Sequence, residues 1–139
     1  MKNSASITII VIILFSLLIV KAWKKESQNP ADLLQKWLVV SMRRPHSSSQ
    51  QYPVGKYMLQ FKTSNSLTFK LDVNNCEGNY TVSEPGKIKM NIQACTESCC
   101  DSDLARELQS LLPHMGTYLI QDDLLTLSGS GQIKLKLVK

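Results

Sequence analysis

Apolar residues recur at every second position along much of this chain, and this period of two is what most constrains its fold. Every second residue from Leu67 to Val73 is apolar, and a threonine, a lysine and an aspartate stand between them. A period of two puts alternate side chains on opposite faces of a β-strand. Other apolar segments of this kind lie at 37–42, 57–61, 80–82, 88–92, 118–120, 125–127 and 133–137. We predict a strand in each of them.

Short connectors join the predicted strands. They are rich in Ser, Asn, Asp, Gly and Pro, the residues that tight turns prefer, and lie at 64–66, 84–87, 121–123 and 128–131. Strands joined in this way form consecutive antiparallel hairpins, and a sheet of many strands closes because closure removes its exposed edges. The predicted fold is mainly β (α+β): a single curved antiparallel sheet or a small barrel of about 7 to 8 strands. Gly78, inside one strand, indicates a bulge or a close approach of two backbones.

One segment breaks the period of two. Apolar residues recur at helical spacing from Leu104 to Met115, and polar residues occupy the opposite side. Asp101 or Ser102 can cap the first turn, and Pro113 ends the segment. We predict one α-helix over about 102–113, packed as a cover on the apolar face of the sheet.

An apolar run near the amino terminus predicts export. Fourteen uncharged residues, Ile7 to Val20, lie between Lys2 and Lys21. A secretory h-region has about 7 to 15 residues and a membrane-spanning helix about 20. A cleaved signal peptide and an uncleaved anchor over residues 4–22 both remain open. We expect residues 1–22 to form this leader, 23–30 a linker and 31–139 one domain.

The charge distribution argues against a nucleic-acid partner. The formal net charge is +5, but residues 30–139 carry twelve Lys and Arg against ten Asp and Glu. Most of the basic excess therefore lies beside the leader. The other basic cluster, Arg43, Arg44 and His46, stands in a Ser- and Gln-rich loop without interleaved aromatic residues for base stacking. We predict a solvated loop there.

No group of residues has the pattern of a catalytic or cofactor site. Asp122 and Asp123 stand in a predicted turn. Asp101 and Asp103 stand at a predicted helix start, where aspartates are common for structural reasons. The two histidines have no Ser or Cys partner at the spacing of a nucleophile motif. We predict a protein that is not an enzyme and has no cofactor or bound metal.

Four cysteines allow three disulfide pairings. Cys95 and Cys99 are close enough in sequence to bridge a turn if their Cα atoms come within about 7 Å. The alternative is a zinc site in which Cys76, the Cys95–Cys100 turn and a histidine supply the ligands. Structural zinc sites usually take two ligand pairs, each about two to four residues apart, and no second pair is visible here. Disulfides are the favoured interpretation.

Several of these segments together resemble the META domain family, also called HslJ-like, of bacterial envelope proteins. The resemblance covers roughly 32–138, and the matching stretches are Asn75–Tyr80, Thr96–Cys100, Leu104–Leu112, Leu124–Leu127 and Ile133–Leu137. It implies a small antiparallel barrel with one helix, located in the periplasm or anchored to the inner membrane. It also implies a disulfide between Cys76 and Cys100, which leaves Cys95 and Cys99 as a second possible pair. The chain departs from the family pattern in the short Cys76 to Gly78 spacing and in these two additional cysteines.

Three functions fit these observations. The leading hypothesis, which follows the resemblance, is a non-catalytic, stress-related envelope protein. It would bind another envelope component through its sheet face or the Arg43–Lys56 loop, and we expect a monomer. The alternatives are a barrel carrier of a small apolar ligand and a disulfide-braced, protease-inhibitor-type module. An apolar interior pocket would favour the carrier, whereas a filled core and a protruding loop would favour the other two.

Overall fold

A computed structural model of the protein describes residues 26–139. Its strands are β1 (Glu26–Ser27), β2 (Lys36–Arg43), β3 (Gln50–Gln51), β4 (Met58–Phe61), β5 (Ser66–Lys70), β6 (Asn75–Glu84), β7 (Lys87–Cys95), β8 (Met115–Gln121), β9 (Leu124–Gly129) and β10 (Gln132–Leu137). Its helices are α1 (Pro30–Leu33) and α2 (Asp103–Leu111), and a 3₁₀ turn (Leu112–His114) follows α2.

Eight of these strands close into an antiparallel barrel in the order β8, β7, β6, β5, β4, β2, β10, β9. The barrel closes because β9 pairs with β8 as well as with β10. β1 and β3 are two-residue additions that pair with β8 and β2. The prediction of a mainly β fold with a small barrel is confirmed.

The apolar half of each alternating pattern fills the interior of the barrel. Trp37, Phe61, Phe69 and Tyr118 are each at most 2% exposed. The Trp37 indole N–H donates to the Leu33 carbonyl oxygen at 3.0 Å, so its polar atom is satisfied inside the core. Fully buried aliphatic side chains surround these rings: Leu59, Leu67, Leu125, Leu127, Ile133 and Leu135. The barrel encloses its own side chains, as small barrels commonly do.

Gly78 lies at a bulge between β6 and β7, as predicted. The register shifts between Glu77 and Gly78, and a Cβ atom at Gly78 would lie 2.1 Å from the Asn91 carbonyl oxygen. No side chain fits in that space, so the position requires glycine for the two strands to approach each other.

The helix α2 covers one end of the barrel near the β7–β8 seam. β7 and β8 share a single bridge, between Lys87 and Thr117, and β7 also contacts the 3₁₀ turn that follows α2. Ser102 caps α2, since its hydroxyl accepts from the Ala105 N–H at 3.2 Å. Ala105, Leu108 and Leu111 turn one face of α2 into the core. The predicted covering helix is confirmed.

The segment that precedes the barrel differs from the sequence prediction. Residues 26–29 fall within the predicted linker, 23–30, but are part of the folded unit, because β1 pairs with β8 and Tyr118 donates to the Gln28 carbonyl oxygen at 2.5 Å. Asn29 then caps α1. The predicted leader, 1–22, lies outside the described residues. Among residues 26–139, no helix is long and apolar enough to cross a membrane.

Candidate functional site

Three loops meet at one end of the barrel, which we call the loop end. The first loop, 44–57, connects β2 to β4 and contains β3; the second, 71–74, connects β5 to β6; the third, 96–102, connects β7 to α2. The loops converge because β2, β5 and β7 all run toward this end of an antiparallel sheet. The first and second loops touch: a Cβ atom at Gly55 would lie 2.7 Å from Asp72 Oδ1.

The Asn74 side chain holds the second and third loops together. Its Oδ1 atom accepts from the Thr96 hydroxyl and from the Ser98 N–H, each at 2.8 Å. Its Nδ2 atom donates to the Ser98 carbonyl oxygen at 2.8 Å and to Asp101 Oδ2 at 2.6 Å. Asn74 is 8% exposed, and these four bonds use the full capacity of its amide. The two loops therefore form one connected unit.

The Asp101 carboxylate completes this unit. Its Oδ1 atom accepts from the backbone N–H groups of Val73, at 3.0 Å, and of Asn74, at 3.4 Å. Burial by itself would raise the pKa of Asp101, but these hydrogen bonds outweigh it and hold the pKa below its ordinary value. Asp101 is thus a charged, buried structural group that closes the second loop.

Asp72 links the same unit to the start of α2. Its Oδ2 atom accepts from the Ser102 hydroxyl at 2.6 Å and from the Ser102 N–H at 3.0 Å. The bond from the Ser102 hydroxyl is the main reason why the pKa of Asp72 lies below its ordinary value. The buried Tyr57 hydroxyl lies 3.1 Å from the same Ser102 oxygen, and burial raises the pKa of Tyr57.

The first loop is anchored at its base and exposed at its tip. Arg44 pairs with Glu107 on α2, with Nη2 to Oε2 at 2.6 Å, and β3 adds a short ladder to β2. Beyond β3, Tyr52 is 70% exposed and Val54 fully exposed. Val73, from the second loop, is 48% exposed. The loop end therefore carries three exposed large apolar side chains, two on the first loop and one on the second.

The disulfide in the structure joins Cys76 to Cys95, 19 residues apart, and corrects the expected Cys76–Cys100 pair. The reason is register: Cys76 on β6 lies directly opposite Cys95 on β7, with their Cα atoms 3.9 Å apart. The second possible pair, Cys95 with Cys99, is thereby wrong as well. Cys99 and Cys100 are free and exposed in the third loop, with Cys100 in the left-handed region at φ 88°.

The structure separates the residues considered for a zinc site. Cys76 and Cys95 are bonded to each other, His46 is exposed in the first loop, and His114 ends the 3₁₀ turn. Within residues 26–139, no group of three or more His, Cys, Asp or Glu side chains is placed to hold a metal ion.

At the opposite end of the barrel, Asp123 lies in the predicted turn between β8 and β9. Its Oδ2 atom lies 2.8 Å from Lys139 Nζ.

The comparison with protein families decides the relationship of the chain. The META domain profile matches residues 31–139. The chain belongs to the META domain family. A comparison with curated protein sequences found no match.

Two solved structures share the fold of this META domain protein. An NMR structure of a protein from Burkholderia xenovorans matches with a TM-score of 0.64 and 15% identity, covering 85% of this chain and 94% of that one. A crystal structure of a DUF4847 family protein from Bacteroides vulgatus matches with a TM-score of 0.57 and 13% identity, covering 75% of this chain and 92% of that one. Both likenesses concern the fold.

The sequence prediction missed the central residue of the loop end. Asn74 is one of two consecutive asparagines between strands, a common turn pattern that does not indicate a buried hydrogen-bond centre. Of the two predicted helix caps, Asp101 and Ser102, Ser102 takes that role, and Asp101 instead binds the second loop. In the sequence, the signal for this centre is the row of polar residues Thr96, Ser98 and Asp101. It can be recognised only when the fold brings Asn74 against all three.

Proposed function

We propose that this protein is a non-catalytic, exported binding module of the cell envelope that docks another envelope protein through its loop end. The observation that carries the proposal is the placement of exposed apolar side chains. Among residues 26–139, four large apolar side chains are exposed, and three of them, Tyr52, Val54 and Val73, lie at the loop end. The fourth, Val138, follows β10 at the opposite end.

The hydrogen bonds beneath this surface support a docking role. Val73 projects from a loop whose backbone is held by Asp101, and Asn74 joins that loop to the third one. The first loop is pinned by the pairing of Arg44 with Glu107. The part of the surface around Val73 is thus ordered before binding, and an ordered surface loses less conformational entropy on association.

Two carboxylates of the loop end support a non-catalytic role. The carboxylates of Asp72 and Asp101 accept hydrogen bonds from neighbouring loop groups, and both pKa values lie below the ordinary range. A general acid or base needs a pKa near the working pH, which these environments oppose. We expect His46→Ala and His114→Ala to leave binding unchanged, and a broad substrate screen to detect no turnover.

The location of the protein is part of this proposal. The Cys76–Cys95 disulfide is typical of an oxidising compartment, and the predicted leader would deliver the chain there. Glu26 pairs with Gln121, at the end of the barrel opposite the loop end. A leader retained as an anchor would therefore join the barrel at that opposite end and leave the loop end directed away from the attachment point.

The filled interior favours docking over the carrier hypothesis. Trp37, Phe69 and Tyr118 occupy the space that an apolar ligand would need. The inhibitor hypothesis required a disulfide that braces a projecting loop, but the observed bond joins two strands, and the apolar tip lies in another loop.

The test compares exposed apolar side chains at the loop end with one at the opposite end of the barrel. A photo-crosslinker is placed at Tyr52 in the full chain, and the crosslinked envelope protein is identified, purified and titrated against the wild type. Tyr52→Ser with Val54→Ser should weaken that binding about tenfold or more, since apolar contacts at an interface centre commonly contribute 1 kcal/mol or more each. Val138→Ser should leave it unchanged.

Equal binding by the double variant and the wild type would contradict the loop-end proposal. Crosslinking at position 138 in preference to position 52 would also contradict it. Native mass spectrometry of the purified chain tests the carrier hypothesis separately, because a retained apolar molecule would appear as added mass.

A further inference from the structure

Cys99 and Cys100 place two free thiols side by side on the third loop. The fold fixes their position: Asp101, the next residue, is tied to the second loop, and Ser98, the preceding residue, is tied to Asn74 on both its N–H and its carbonyl. Cys100 adopts φ 88°, a conformation that costs a non-glycine residue energy and that the surrounding bonds maintain. The chain is thus held on both sides of the pair, and the two thiols are close enough to each other for a hydrogen bond.

The disulfide of the structure involves neither Cys99 nor Cys100. Cys76 and Cys95 are bonded across β6 and β7, so neither needs Cys99 or Cys100. The neighbouring Cys99 side chain, burial and the Asp101 charge, in that order, raise the pKa of the Cys100 thiol. A protonated thiol attacks a disulfide slowly, which limits exchange between Cys100 and the Cys76–Cys95 bond. In an oxidising compartment, Cys99 and Cys100 must also stay reduced to bind a ligand through sulfur, and alkylation of the isolated protein measures this.

A cavity opens directly beside the thiol pair. It has a volume of about 450 Å³ and lies between the end of β7, the third loop and α2. Cys100 forms part of its wall, and Thr96, Ser98, Arg106 and Gln109 supply polar atoms around it. A group bonded to the Cys100 sulfur therefore has room for a further substituent within the protein surface.

We propose that Cys99 and Cys100 form a vicinal dithiol site for trivalent arsenicals, arsenous acid or its mono-organic derivatives. Tetrahedral zinc needs four ligands, and within residues 26–139 no cluster of even three is present. Trivalent arsenic forms three bonds, so two thiols supply two of them, and the cavity that Cys100 lines has room for the third substituent. Soft thiolate ligands suit soft, thiophilic centres.

The bonding step is a condensation. Two As–S bonds form, two As–OH bonds break, and each thiol proton leaves in a water molecule. Arsenic stays trivalent and sulfur stays at the thiol oxidation level, so neither an oxidant nor a reductant takes part. The site is independent of the docking partner proposed above.

The first part of the test establishes the state of the thiols in the full chain as isolated from the envelope under alkylating conditions. Peptide mass spectrometry should find Cys99 and Cys100 alkylated and Cys76 linked to Cys95. Recovery of Cys99 and Cys100 in a disulfide, with each other or with another cysteine, would overturn the proposal.

The second part uses phenylarsine oxide as the probe. The full chain should bind one equivalent, and 2,3-dimercaptopropanol should release it while an equal concentration of a monothiol should not. Cys99→Ser and Cys100→Ser should each weaken binding about a hundredfold, because one thiol loses the effective concentration that the second provides. Unchanged binding in either variant would show that the pair is not the site.

A peptide of residues 95–103 with Cys95→Ser is the matched control for the fold. It carries the same adjacent thiols without the ordered loop or the cavity, so we expect it to bind the probe about tenfold more weakly than the folded chain. Equal affinity would mean that the fold contributes nothing and would contradict a built site.

Discussion

The first and third loops lie at the same end of the barrel but are held in different ways. The third loop, 96–102, is bound along its length: Thr96, Ser98 and Asp101 all bond to Asn74. The first loop, 44–57, is held at its base, by Arg44 and by β3, and then extends Tyr52 and Val54 into solvent. Polar groups with partners make a loop part of the fold, whereas exposed apolar groups make it available to another molecule.

This difference between the loops means that the third loop contributes to stability and the first loop to binding. Removing a partner inside the third loop leaves buried polar atoms unsatisfied, which is costly. Removing an exposed side chain from the tip of the first loop changes little in the folded state. A substitution inside the third loop should therefore lower stability, whereas a substitution at the tip of the first loop should lower binding and leave stability nearly unchanged.

The disulfide below the third loop should give the largest change in stability. Replacing both Cys76 and Cys95 with Ser should lower the free energy of unfolding by about 2 to 5 kcal/mol, because the open chain regains the entropy that the bridge removes. Urea denaturation of the double variant and the wild type measures this. Replacing both Cys99 and Cys100 with Ser is the matched control and should have little effect; a comparable loss for Cys100→Ser alone would point to the family-type Cys76–Cys100 pair.

The Asn74 amide should be the next most sensitive position. Asn74→Ala removes four side-chain hydrogen bonds and leaves Asp101 with a buried oxygen that has lost its partner. We expect a loss of about 2 to 3 kcal/mol by urea denaturation. Asn75→Ala, at an exposed neighbouring position, should cost far less, and equal effects at both positions would show that the hydrogen-bond centre adds no stability.

Acid should weaken the contacts through which Asp72 and Asp101 hold the second and third loops. The folded-state pKa values of Asp72 and Asp101 lie below their ordinary values, so their stabilisation is present above the unfolded pKa of about 4 and is lost as the pH falls through the folded values. The free energy of unfolding should therefore decline below about pH 4, and the decline should be shallower in Asp101→Asn. Asp103→Asn is the control, since Asp103 is exposed; identical acid profiles for wild type and Asp101→Asn would contradict this role.

The tip of the first loop should give the smallest change in stability. Tyr52→Ser with Val54→Ser should alter the free energy of unfolding by less than about 0.5 kcal/mol, because neither side chain is buried. The same thermal or urea measurement serves here, alongside the binding titration. A loss above about 1 kcal/mol would mean that the tip is a structural part of the fold and would remove the contrast between the loops.

Local patterns were sufficient to predict the elements of the barrel. The alternation around Leu67 and Phe69, the turn residues at 84–87 and the helical spacing after Leu104 each report on neighbours along the chain, and the strands and α2 are confirmed. Val73 continues the alternating pattern in the sequence but lies in the second loop, after β5 ends. There its backbone N–H donates to Asp101 instead of to a neighbouring strand. A pattern of residue types does not contain that long-range bond.

The pairing of the cysteines likewise depends on contacts that local sequence patterns do not contain. The resemblance to the META domain family implied Cys76 with Cys100, and the presence of a disulfide was predictable from four cysteines behind an apolar leader. The partner was decided by the register of β6 against β7, in which the bulge at Gly78 brings Cys76 opposite Cys95. Register depends on the whole hairpin and on the close contact at Gly78, so the local sequence of the cysteine turn could not provide it.

The class of fold follows from the sequence pattern, because a period of two with turn residues between strands leaves an antiparallel sheet that must bury one face. The sequence also determined the family and the covering helix. The tertiary structure alone decided which cysteines bond, that Asn74 and Asp101 join two loops, and that Tyr52, Val54 and Val73 share one end of the barrel. These features depend on residues far apart in the chain, which come together only when the barrel closes and brings the ends of β2, β5 and β7 to one side.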